Sequence, residues 1–115
     1  MSILFSMTRD INGFNGFGLI PSDDIYGGKV AQNTAYTVTV PSNYENWIAL
    51  ISYTPGSEFW VAHNVVATVP AVGVASMTTE LNPAGRQLKA GDTLSFISNN
   101  TGNPGFSVSF YALVP

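Results

Sequence analysis

The sequence contains no cysteine, which excludes a disulfide framework and any thiolate metal site and leaves the redox compartment unmarked. Charge is nearly as scarce. Asp, Glu, Lys and Arg together make up 10% of the chain, against roughly 25% in an average soluble domain. A surface so poor in charge does little to keep copies apart. Much of it is therefore expected to be covered in an oligomer or larger assembly. The cations Arg9, Lys29, Arg86 and Lys89 are scattered along the chain. Nucleic-acid binding draws on clustered Lys and Arg that release counterions, and an anionic membrane surface needs the same. Neither is expected as a partner. No apolar run approaches the ~20 residues that cross a bilayer. The mildly apolar start lacks the basic region of a secretory signal and is cut short by Arg9-Asp10.

Catalytic groups are few. His63 is the only histidine, and metal and triad sites need several converging groups. It reads as a hydrogen-bonded or solvated residue at a strand end. The carboxylates Asp10, Asp23, Asp24, Glu45, Glu58, Glu80 and Asp92 show neither the oxygen spacing of a calcium loop nor a marked glycosidase pair. Asp92, within Gly91-Asp92-Thr93, reads as a turn acid that bonds its own backbone. Gly13-Phe14-Asn15-Gly16-Phe17-Gly18 lacks the glycine order, preceding strand and lysine of a phosphate-binding loop. No catalytic, cofactor-binding or metal-binding residue is assigned, no cofactor is expected, and the chain is not expected to be an enzyme.

What the sequence does have is strand signal. Prolines at 21, 41, 55, 70, 83, 104 and 115 divide it into short pieces, none with a sustained helical repeat. In residues 35–40, Tyr36, Val38 and Val40 alternate with Thr37 and Thr39, as a half-buried strand requires. Residues 47–53 are apolar on both faces and read as a central strand. Thr54-Pro55-Gly56-Ser57 is a turn. Residues 58–63 then place Phe59, Val61 and His63 on one face and Trp60 and Ala62 on the other. Residues 65–76 predict two short strands or a bent edge, and 81–85 a turn. Further strands are expected at 86–89, 93–98 and 106–114, the last with the cleanest alternation. The fold class expected is all-β: an antiparallel, jelly-roll-like β-sandwich over residues 35–115 with an irregular N-terminal arm, residues 1–34. That arm has room for one strand, near 29–32.

The arm is rich in Phe, Ile and Leu, which disordered tails usually lack. Phe14, Phe17, Leu19, Ile20 and Ile25 are expected to pack on a neighbouring subunit or a larger surface. In the sandwich, Trp60 and then Tyr53 are the expected interface anchors. The alternatives for Trp60 are a core on the second face or a sugar platform.

Three stretches carry a resemblance. They are Ala35-Tyr36-Thr37-Val38-Thr39-Val40-Pro41, residues 47–53 running into Thr54-Pro55-Gly56-Ser57-Glu58-Phe59-Trp60-Val61, and Leu81-Asn82-Pro83-Ala84-Gly85-Arg86-Gln87-Leu88-Lys89-Ala90-Gly91-Asp92-Thr93-Leu94. Together they resemble small β-sandwich virion proteins of tailed bacteriophages, often capsid decoration (cement) proteins. The likeness spans roughly residues 35–114 and is one of texture, without a motif of fixed spacing. It implies a homotrimer on the capsid surface, bound to the major capsid protein and bridging neighbouring capsid subunits. It assigns no contact residue. A carbohydrate-binding module and a small head-tail or tail component are the alternatives.

Overall fold

The structure, a computed structural model, describes residues 2–6, 19–75 and 77–113. Among these the chain forms strands β1 (Asp24–Lys29), β2 (Tyr36–Thr39), β3 (Asn46–Tyr53), β4 (Trp60–His63), β5 (Thr79–Leu81), β6 (Gly85–Lys89), β7 (Thr93–Ile97) and β8 (Gly105–Ala112), and no helix. They make two antiparallel sheets of four strands, ordered β1-β8-β3-β6 and β2-β7-β4-β5. The expected antiparallel sandwich is what forms. Its winding follows one rule. β1 pairs with β8, β2 with β7, β3 with β6 and β4 with β5, as in a single long antiparallel ribbon. Pairing of β3 with β8 and β4 with β7 rolls that ribbon into two layers.

β3, read as apolar on both faces, and β8, with its clean alternation, fill the space between the layers. Trp47, Ala49 and Ile51 point inward from β3, and Phe106, Val108 and Phe110 from β8. Val38, Val61, Leu94 and Phe96 join them in the same cluster from the opposite sheet. Phe96 and Phe106 stack across the layers at 4.1 Å and 10°. A second, smaller cluster lies outside this core: Ala62, Ala67 and Ile97, flanked by Ala35, Trp60 and Val69.

Four expectations change. The boundary at residue 34 does not hold, because β1 pairs with β8 along all of its 6 residues and Val30 is a core residue. The strand expected near 29–32 lies instead at Asp24–Lys29, where Gly27-Gly28 interrupts the alternation that would have revealed it. Residues 2–6 of the expected arm lie along this chain's own β8. Leu4 bridges to Ala112 in parallel, Phe5 N–H donates to Ala112 O at 2.8 Å and Ala112 N–H to Ile3 O at 2.9 Å. Beyond residues 7–18, the Tyr111 hydroxyl donates to Ile20 O at 2.5 Å and the Ser22 hydroxyl to Phe110 O at 2.5 Å. The chain on both sides of 7–18 is thus tied to the same end of β8. Residues 65–76 hold no strand among those described, and β5 occupies Thr79–Leu81, where only a turn was expected to follow.

Candidate interaction surfaces

The segment between β4 and β5 forms the first surface. No charged residue occurs from 64 to 79. Its base is fixed: Asn64 Oδ1 accepts from Thr93 N–H at 2.8 Å, and Ala67 N–H donates to the buried Ser95 hydroxyl at 2.9 Å. Ala67 and Val69 lie on Trp60, Ala62 and Ile97, so this stretch roofs the outer face of the β2-β7-β4-β5 sheet. The tip is then turned by Gly73, at φ +80°, with Val74 N–H bonding Ala71 O at 3.0 Å. A left-handed residue at the third turn position suits glycine and leaves its predecessor standing out. Val72 is accordingly fully exposed, as is Met77, with Val66 and Val74 more than half and Val65 about half exposed. The segment thus combines an anchored base with an uncharged, exposed apolar tip.

The second surface is the open edge where β5 faces β6. Glu80 of β5 takes Arg86 of β6 in a two-point ion pair, Arg86 Nε to Glu80 Oε1 at 3.1 Å and Arg86 Nη2 to Glu80 Oε2. The pair clasps the two sheets. Each partner holds the other's charged form: Arg86 lowers the Glu80 pKa and Glu80 raises that of Arg86. Behind it lies a cleft of about 150 Å³ with Ile51, Val61, Leu88 and Leu94 in its wall and His63 at its side. This is small beside the roughly 300–1,000 Å³ of typical ligand sites.

His63 does have a carboxylate partner, one distant in sequence. Its Nε2 lies 2.9 Å from Asp92 Oδ2. Asp92 also accepts from Lys89 N–H at 3.0 Å, as expected of a turn acid. Asn64 Nδ2 lies 3.4 Å from Asp92 Oδ1. The Lys89 amide first, and then His63, hold the Asp92 carboxyl below its ordinary value of 3.8. A carboxyl depressed in the folded state stabilises it above the unfolded pKa, and that stabilisation is lost as pH falls through the folded value. Asp92→Ala is therefore expected to lower the urea midpoint at neutral pH, with the gap to wild type closing as pH is taken downward from 3.8. A gap that stays constant into acid would show that charge is not what holds this turn. Among the described residues no group of three or more His, Cys, Asp and Glu side chains could hold a metal ion.

The anchors named from the sequence are dispersed. Trp60 lies half-buried in the second cluster, beneath residues 67–69. Tyr53 is half-buried as well, its ring 5.2 Å from Phe59 and its hydroxyl donating to Pro83 O at 2.6 Å. Burial raises its pKa, the largest of the influences on it. Tyr53 thus tethers the β5–β6 turn and leaves only its outer edge to a partner. Ile25 is exposed on the outer face of β1 and Ile20 is exposed beside β8. Leu19 is half-buried, whereas Phe14 and Phe17 lie outside the described residues. The apolar tip at Val72, Val74 and Met77 was missed. Its uncharged run was visible, but Val-rich sequence reads as strand. Comparison with protein-family models, with curated protein sequences and with solved structures finds no match to this chain.

Proposed function

We propose that this chain is a non-enzymatic structural protein of a phage virion, a decoration protein that sits on the capsid as a homotrimer and bridges neighbouring subunits of the major capsid protein. The observation that carries the reading is the apolar tip, Val72, Val74 and Met77, held out from a base pinned to β7. Such a tip loses little conformational freedom on docking, because its base is already ordered. Three copies in one trimer would engage together, so modest contacts become strong retention. The ribbon winding supports the jelly-roll reading, an architecture used by viral capsid and lectin domains. The exposed Ile20 and Ile25 add apolar surface where the chain emerges from 7–18.

The test combines location with a tip variant. Imaging of purified particles is expected to place the chain on the shell, and sedimentation to return a trimer. Val72→Asp with Met77→Asp is expected to lower retention on capsids by at least about tenfold while the melting temperature is unchanged, since both side chains are fully exposed. Undiminished retention would remove the tip from the contact. Absence of the chain from particles would remove the virion reading altogether.

A further inference from the structure

At the edge opposite the Glu80–Arg86 clasp, β1 and β2 face one another across the layers. Register fixes what points into that gap. Tyr26 pairs with Val108 and Gly28 with Phe106, while Tyr36 pairs with Phe96. Directly paired residues share a face, and Val108, Phe106 and Phe96 are core. Tyr26, Gly28 and Tyr36 therefore face inward. The inward rings of Trp47, Phe59, Phe96 and Phe110 are fully buried, yet Tyr26 is 43% and Tyr36 39% exposed. The reason lies between them. A β-carbon built at Gly28 would meet nothing within 4 Å, so the position that should plug the edge holds no side chain. The result is a slot of about 340 Å³ whose lining includes Tyr26, Gly28, Tyr36, Val38 and Phe106, with the polar Lys29 and Thr37 at its rim, within the size range of ligand sites.

We infer that this slot binds a pyranose ring of a glycan. Its two halves differ in polarity in the way such a ring does. The walls are aromatic, suited to the C–H face of a sugar. The mouth is framed by two edge strands, whose outward N–H and C=O groups have no ladder partner among the described residues. Those groups, with the phenol hydroxyls, suit the equatorial hydroxyls around the sugar rim. A purely apolar ligand would desolvate the same polar groups without pairing them, which disfavours it. The sugar platform considered for Trp60 moves here, since Trp60 sits beneath residues 67–69 and Trp47 is wholly buried. The inference is independent of the capsid reading, because the slot and the apolar tip share no residue.

The test uses the full chain and amide NMR, with the methyl β-glycosides of glucose, galactose and N-acetylglucosamine and with chitotetraose as probes. At least one probe is expected to bind with a millimolar dissociation constant and to shift resonances of residues 26–29, 36–38 and 105–107. Gly28→Val, which fills the opening, is expected to weaken that binding at least about tenfold with the melting temperature preserved. Tyr36→Phe keeps a stacking face and should bind, whereas Tyr36→Ala should not. The inference is overturned if no probe shifts these residues, or if Gly28→Val binds as wild type does. It is equally overturned if Tyr26→Ala changes the sedimentation of the chain and leaves glycoside binding intact, which would make the slot a contact between copies.

Discussion

Replacing Trp47 with alanine is expected to destabilise the fold by about 3–5 kcal/mol. Trp47 is wholly buried in the two-layer core. Its ring makes edge contacts with Tyr44 at 5.9 Å and Phe110 at 6.5 Å, and its indole N–H donates to Tyr44 O at 3.0 Å. Alanine removes the apolar contact, opens a cavity between paired sheets that have little freedom to collapse, and strips that carbonyl of its donor. Domains of this kind have about 5–15 kcal/mol in total, so the loss is a large share of the whole. Trp47→Phe keeps most of the ring volume and is expected to cost less than half as much. Trp60→Ala acts on the smaller outer cluster and should also cost less. Urea unfolding of the three variants checks the order. A Trp47→Ala midpoint equal to that of wild type would mean the core is not built around this ring.

Much of this architecture was legible wherever one face of a strand is buried and the other is not. β2, β4 and β8 show their inward residues in the sequence because period-two alternation survives along them, whereas β3, apolar on both faces, shows itself as a strand without showing which side faces in. β1 did not show itself, since Gly27-Gly28 erases the pattern at the positions where register matters most. β5 is only 3 residues long, too short for a period to be read. Residues 65–76 misled in the opposite direction. Valine favours strands because it suits a pleated, half-buried surface, but here Pro70 and Gly73 break the run and every valine but Val69 meets solvent. The clasp, the His63–Asp92 contact and the tyrosine slot are invisible in sequence for a shared reason. Each joins residues from different strands or turns, brought together only by the ribbon's winding. Scarcity of charge was the more informative global feature. It anticipated exposed apolar surface without saying where that surface would be.

The adjacent glycines of β1 give the sharpest contrast. Gly27→Ala is expected to cost about 1–3 kcal/mol and Gly28→Ala to gain about 0.5–1 kcal/mol. A β-carbon at Gly27 would lie 2.4 Å from Phe106 O and 2.9 Å from Ser107 Cα. Both are backbone atoms of β8 and cannot rotate aside, so β1 must lift from its partner. That strain falls on a strand closing one edge of the β1-β8-β3-β6 sheet and reaches Val30, which follows it into the core. At Gly28 the same substitution meets open space and merely removes the conformational freedom that glycine contributes to the unfolded chain. Amide exchange separates the two outcomes. Gly27→Ala should speed exchange across residues 24–30 and leave β3 and β7 protected, whereas Gly28→Ala should leave all of them protected. Equal midpoints for the two variants would show that β1 does not approach β8 as closely as its register requires. The contrast also explains why this edge carries a slot. Gly27 is required by the close approach of the backbones, whereas an alanine at Gly28 would meet no steric bar. Two neighbouring glycines thus stand in opposite settings, one held by packing against β8 and the other facing open space.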